Sequence, residues 1–161
     1  AMIDLGFNSA YLARYIMGDM VSVSSSFSND TIHKQVEDTA SCNVQFESGC
    51  MGILEATFVS PLLSVFELAI YGTEGAYYAR YGGDDFAELR LPGKPSKRID
   101  LDNYTCELKS PIATWVDSAV YGASDEVYGI DAAVDMVKFM LAAYKSSEKK
   151  GKRIAIHDGE I

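Results

Sequence analysis

EDTASCNVQFESGCMGILEATFVSPLLSVFELAIYGTEGAYYARY, residues 37–81, decides the fold. From 39 to 47 the residues alternate, with Ala40, Cys42, Val44 and Phe46 on one side and Thr39, Ser41, Asn43, Gln45 and Glu47 on the other. A period of two marks a strand buried on one face. Ser48-Gly49 supplies a turn, and residues 51–59 read as a second strand. Pro61 interrupts, 65–71 makes a third strand, and Gly72-Thr73-Glu74-Gly75 turns into a fourth over 76–81. Connections this short join antiparallel neighbours, because a parallel return needs a crossover of a dozen residues or more. The expected core is an antiparallel meander.

Working outward, residues 4–17 predict a helix, with Asn8 or Ser9 as its N-cap and Gly18 at its C-terminal end. Residues 20–27 predict a strand with one face of serines, 28–36 a loop, and 86–91 and 98–101 two shorter strands. Ser110-Pro111 opens a predicted helix over 112–121. The longest predicted helix covers 129–146, where Ile130, Ala133, Val134, Val137, Met140, Leu141 and Tyr144 keep the 3.6 period. Asp131 stands early in it and Lys145 late, as the helix dipole favours. Residues 153–157 read as a last strand. The expected class is α+β: one domain over residues 1–161, an open, mainly antiparallel sheet with helices on one face. Ile53, Val59, Val65, Ala69 and Tyr71 share the second face with Glu55, Thr57 and Glu67. That face is too apolar to be wholly wet, so part of it is expected to meet another subunit or domain.

Composition narrows function. At 161 residues, with 48% hydrophobic and 23% charged residues, the chain is an ordinary globular domain able to bury a core. No apolar run approaches the ~20 residues of a membrane helix, and no charged-then-apolar leader pattern appears. A net charge of −9, with basic residues clustered only around 145–153, argues against nucleic acid. Cys42, Cys50 and Cys106 show no Cys-x-x-Cys spacing, which suits a reduced, cytoplasmic protein. His33 and His157 stand apart from any ligand cluster, and Asp84-Asp85 and Asp100-Leu101-Asp102 lack the calcium-loop register, so no metal is expected. No Gly-x-Ser-x-Gly, phosphate loop or Gly-x-Gly-x-x-Gly occurs.

Asp4, Asn8 and Tyr11 remain. Spacings of four and three put them on one side of a helix, provided the helix already runs at Asp4. A carboxylate, an amide and a phenol so placed suit a polyhydroxylated ligand. Equally, Asp4 and Asn8 suit capping and Tyr11 suits packing.

Asp4-Leu5-Gly6-Phe7-Asn8 through Gly18 resembles the Asp-x-Gly-x-His…Gly segment of the glucose-fructose oxidoreductase/inositol dehydrogenase (Gfo/Idh/MocA) family. Glu37-Asp38 with Phe46-Glu47-Ser48-Gly49 resembles that family's acidic pair and hairpin, and Gly72-Thr73-Glu74-Gly75 its Gly-Thr-x-Gly turn. Gly129-Ile130-Asp131-Ala132-Ala133, Ala142-Ala143-Tyr144-Lys145-Ser146 and Gly151-Lys152-Arg153-Ile154 resemble its closing helix and strand. The resemblance implies the second domain of an NAD- or NADP-dependent dehydrogenase of a sugar, inositol or related polyol. In that family a separate Rossmann domain holds the cofactor, and the sheet's open face makes a homodimer or higher oligomer. It implies catalytic or substrate-binding roles for Asp4 and Asn8, and substrate binding for Tyr11. Asn8 stands where the family has histidine, and asparagine shuttles no proton near neutral pH. Because nothing in this chain holds a nicotinamide, the chain alone is expected not to turn over. Two rival readings are a non-catalytic binding or dimerisation module on the same scaffold and a free-standing α+β interaction domain.

Overall fold

The computed structural model describes residues 1–32, 35–60, 65–100, 109–123, 125 and 127–156. His33, Pro61, Leu101, Asp102, Cys106 and His157 lie outside them. A π-helical turn, Met2–Gly6, leads into α1 (Phe7–Met17), β1 (Met20–Ser28), β2 (Thr39–Phe46) and β3 (Met51–Thr57). Then come β4 (Phe66–Tyr71), β5 (Ala76–Tyr81), β6 (Phe86–Arg90), β7 (Lys97–Ile99), α2 (Pro111–Tyr121), α3 (Ile130–Glu148) and β8 (Ile154–Ala155). This is an α+β fold with antiparallel sheets. The strands divide between two of them, β3-β2-β1-β8 and β4-β5-β6-β7, and the chain into two compact units, residues 1–59 with 109–161 and residues 60–108.

In the first unit the alternation of β2 does what it promises. Ala40, Cys42, Val44 and Phe46 are buried, and their partners on β1 are Phe27, Ser25, Val23 and Met20. Met136, Phe139, Met140, Ala142 and Ala143 of α3 close the core over them, joined by Met2 and Ala10. Burying side chains of this size stabilises by about 1.5–3 kcal/mol each. The opposite face carries Ser24, Ser26, Thr39, Ser41 and Asn43, with Met51 and Ile53 at 83% and 69% exposure.

The stripe of α3 that meets the sheet is not the one its strongest apolar period suggests. Ile130, Ala133, Val134, Val137 and Leu141 are exposed. The helix has two apolar stripes, and the sheet takes the one with Phe139 and Met136, which share the core with Cys42 and Val44. The same helix also completes the edge of β1. Because β8 pairs only with Ser22 and Val23, the later amides of β1 need other acceptors. Ser146 Oγ accepts from Ser25 N at 2.9 Å and Ser147 Oγ from Phe27 N at 3.1 Å, while Ser25 Oγ donates to the Ala143 carbonyl. Helix α2 opens as expected, with Ser110 Oγ accepting from Ala113 N at 3.2 Å.

In the second unit, Phe66, Leu68, Ile70, Tyr77, Ala79, Ala87 and Leu89 share one face by register. The other face is an aromatic and ionic ladder. Tyr71 meets Tyr78 edge-on at 5.8 Å, the Arg90 guanidinium lies 4.5 Å over the Tyr78 ring, and Arg98 lies 5.8 Å over Phe86. Glu88 pairs with Arg90 and Glu67 with Arg80.

Candidate functional site

The helical segment that holds Asp4, Asn8 and Tyr11 starts as a π turn. Leu5 N and Gly6 N both donate to the Ala1 carbonyl, at 2.9 and 3.1 Å. Single π turns of this kind are frequent at functional sites. Met2 anchors this one, fully buried beside Cys42, with the two sulfurs 3.9 Å apart. A Cβ on Gly6 would sit 2.4 Å from Met2 Sδ, so any larger residue there would oblige the Met2 side chain to shift. The helix therefore already runs at Asp4, which is the condition for the three residues to share a side.

Asp4 and Asn8 project to solvent, and Tyr11 lies half-buried at the flank of α1. Asn8 is the second residue of α1 and caps nothing, since Gly6 holds the N-cap position without a side-chain bond. Tyr11 does pack. Its ring stacks on Phe7 at 6.2 Å and on Tyr128 at 6.3 Å, the latter within 9° of parallel. Yet its hydroxyl is enclosed and bonds nothing. A buried hydroxyl without a partner costs about 1–3 kcal/mol. Burial, foremost, and then Tyr128 and Asp125 push the Tyr11 phenol above its ordinary value, against the pull of Arg14. Arg14 ties α1 to α3 through Asp135 at 2.7 Å.

Tyr128 is the residue that sequence reading missed. It stands in the turn before α3, where Asp125 Oδ1 accepts from Val127 N at 2.9 Å and Tyr128 N at 2.6 Å. The signal was present as an aspartate-to-glycine turn, Asp125 to Gly129, ahead of a helix. Which ring Tyr128 would meet was not readable from so far along the chain.

Glu37, half of the acidic pair, has a structural task. Its carboxylate accepts from Met2 N at 2.7 Å, from Ala1 N at 3.0 Å and from Tyr144 OH at 2.9 Å to each oxygen. Asp38 Oδ2 accepts from Thr31 N and Ile32 N, shaping the loop before β2. A cleft of about 240 Å³ opens beside Glu37, bounded by Phe27, Asn29, Gln35 and Tyr144.

With this geometry in place the comparisons become specific. Residues 1–78 match the GFO/IDH/MocA C-terminal domain family. These are 78 of the chain's 161 residues, and over them the chain is similar to that family. Solved structures extend the likeness of fold to nearly all of the chain. An oxidoreductase from Agrobacterium radiobacter, in complex with NAD+, L-tartaric acid and magnesium, superposes with a TM-score of 0.76 at 20% identity, over 97% of this chain and 49% of that one. A levoglucosan dehydrogenase, in complex with NADH and levoglucosan, does so at 0.78 and 16%, over 97% and 50%. The WlbA dehydrogenase from Bordetella pertussis, in complex with NADH and UDP-GlcNAcA, gives 0.72 and 17%, over 99% and 46%. The chain thus spans about half the length of the structures it matches. Comparison with curated protein sequences found no match.

Gly82-Gly83 is the chain's one glycine pair, and both its amides already donate to Asp85 Oδ1, at 2.8 and 3.2 Å. The Val127 and Tyr128 amides are likewise taken up by Asp125, and the Ala113 amide of α2 by Ser110. No group of three or more potential metal ligands occurs among the described residues, and no helix among them is long and apolar enough to cross a membrane.

Proposed function

We propose that residues 1–161 form the substrate-binding and oligomerisation domain of a cytoplasmic NAD- or NADP-dependent oxidoreductase, which moves a hydride from a carbinol carbon of a sugar, inositol or related polyol. The reading assigns the nicotinamide to the half of the matched structures that this chain does not span. When bound there, the cofactor accepts the hydride. This chain's residues would bind and orient the substrate: Asp4 as a hydrogen-bond acceptor, Asn8 as donor and acceptor, Tyr11 as a donor. Asn8 cannot take the hydroxyl proton, so the base is assigned to another group.

The observation that carries this reading is that the fold makes no use of these three polar heads. Asp4 and Asn8 are exposed on a helix that neither caps, and the enclosed hydroxyl of Tyr11 has no partner. The test is amide chemical-shift mapping of the chain titrated with myo-inositol and with levoglucosan. Shifts are expected along α1 and its π turn, and Asp4→Ala and Asn8→Ala should each weaken binding by about tenfold, the worth of one good hydrogen bond. Shifts located elsewhere, or untouched by either substitution, would sink the reading. Asn8 in the histidine position favours a second reading, a non-catalytic binding and dimerisation module. It predicts the same binding with no hydride transfer from any polyol once a cofactor domain is supplied.

A further inference from the structure

The π turn Met2–Gly6 has no capping side chain at its own start. The first amides of any helix lack partners within it. Here Glu37, 35 residues along the chain from Met2, supplies the acceptor. Its Oε1 takes the Met2 amide at 2.7 Å and Ala1 N at 3.0 Å, and its main-chain carbonyl takes Ala1 N at 2.8 Å. Tyr144 of α3 donates to both carboxylate oxygens at 2.9 Å. The carboxylate is thereby tied to α3 on one side and to the turn on the other, and its negative charge suits the positive end of a helix.

What this clamp holds is a wider winding than that of a plain α-helix. Gly6 N reaches back five residues to the Ala1 carbonyl at 3.1 Å, while Leu5 N reaches back four at 2.9 Å. With 3.6 residues per turn, α winding staggers residues four apart by about 40°. Bonds that reach back five residues take more residues into each turn. A segment part π and part α therefore brings Asp4 and Asn8 closer to one line, and both side chains are exposed there.

We propose that Glu37 is a positioning residue for ligand binding: by clamping the Met2 amide it holds the π turn that sets Asp4 in line with Asn8 for a polyol lying along both. The inference rests on the polyol-binding reading above and adds to it a buried residue that touches no ligand. Without the clamp the turn is free to relax to α winding, which swings the Asp4 carboxylate aside and leaves Asn8, on α1 itself, in place. An acceptor fixed in advance also loses less freedom when it binds.

The test is a pair of double-mutant cycles on the 161-residue chain, read as the Kd for myo-inositol and for levoglucosan. Glu37→Leu, which keeps a side chain of similar size and removes the acceptor, is expected to weaken binding by about tenfold, as Asp4→Ala does. Because Glu37 acts through Asp4, Glu37→Leu/Asp4→Ala should bind no more weakly than either single variant. Glu37→Leu/Asn8→Ala should instead lose about a hundredfold, the product of two independent losses. Hydrogen exchange gives a second readout: in Glu37→Leu the Gly6 amide should lose protection while the amides in the middle of α1 keep theirs. A merely structural role for Glu37 would multiply the losses with Asp4 and Asn8 alike and speed exchange throughout α1. Either result, or unchanged binding in Glu37→Leu, overturns the proposal and leaves the polyol reading standing. If Glu37→Leu does not fold, Glu37→Gln, a weaker acceptor, replaces it, with a loss of about threefold and the same pattern of coupling. Failure of the unsubstituted chain to bind either probe overturns the polyol reading and the proposal together.

Discussion

Glu37 shows how much one buried carboxylate can organise. It is 7% exposed and accepts from two main-chain nitrogens and a phenol drawn from both ends of the first unit. Burial pushes its carboxyl up, but the bonds from Ala1 N, Tyr144 and the Met2 amide prevail and hold it below the usual carboxylate range. The unfolded chain therefore takes up this proton more readily than the folded one. The stability that Glu37 contributes is complete above the ordinary carboxylate value of about 4.3 and is lost as pH falls through the lower folded value. Glu37→Gln should cost about 1–3 kcal/mol at neutral pH, since it weakens the acceptor for Tyr144 and Met2. Urea unfolding across an acid series should show the two proteins converging below about pH 4 as the native carboxylate titrates. A constant difference at every pH would mean that the charge of Glu37 has no part in its contribution.

At the scale of the element, α3 separates what a periodic sequence can say from what it cannot. The 3.6 period places the helix to within two residues, and Asp131 and Lys145 sit at the dipole ends where they were expected. Its buried side was not legible, because Ile130, Val134, Val137 and Leu141 make as good a stripe as Met136, Phe139 and Met140. Only the shape of the sheet beneath decides between them. Phe139→Ala should therefore cost about 3–5 kcal/mol, and Val137→Ala less than about 0.5 kcal/mol, by chemical denaturation. Similar costs at both positions would show that the outer stripe is covered in solution. The serines of β1 and α3 were legible only as a polar pattern, since their partners lie more than a hundred residues apart in the chain. The candidate site divides the same way. Asp4, Asn8 and Tyr11 could be read from spacing within one helix, whereas Tyr128 enters only through tertiary packing.

For the whole molecule, the two sheets leave faces whose occupant sets the assembly. The exposed face of β1, β2 and β3 carries few charges: serines, threonines, Asn43, Gln45, Met51 and Ile53, with Glu55 as its acid and Arg153, bonded to Ser22 and Gln45, as its base. A surface of this kind suits association with a second copy, because little ionic desolvation opposes it and Met51 and Ile53 supply apolar area. The chain as a whole carries −9, so two copies repel at long range even where their facing surfaces do not. The expected result is a homodimer that tightens with salt. Between about 0.01 M and about 0.15 M ionic strength the screening length falls from about 30 Å to about 8 Å, so light scattering across a dilution series should show the dissociation constant falling. Ile53→Glu, which places a like charge in the middle of each face, should give a monomer at every salt concentration tested. An association that weakens with added salt would instead point to the ionic ladder of β4 to β7, where Arg80, Arg90 and Arg98 alternate with Glu67 and Glu88. A strict monomer throughout would leave this face to a partner other than this chain.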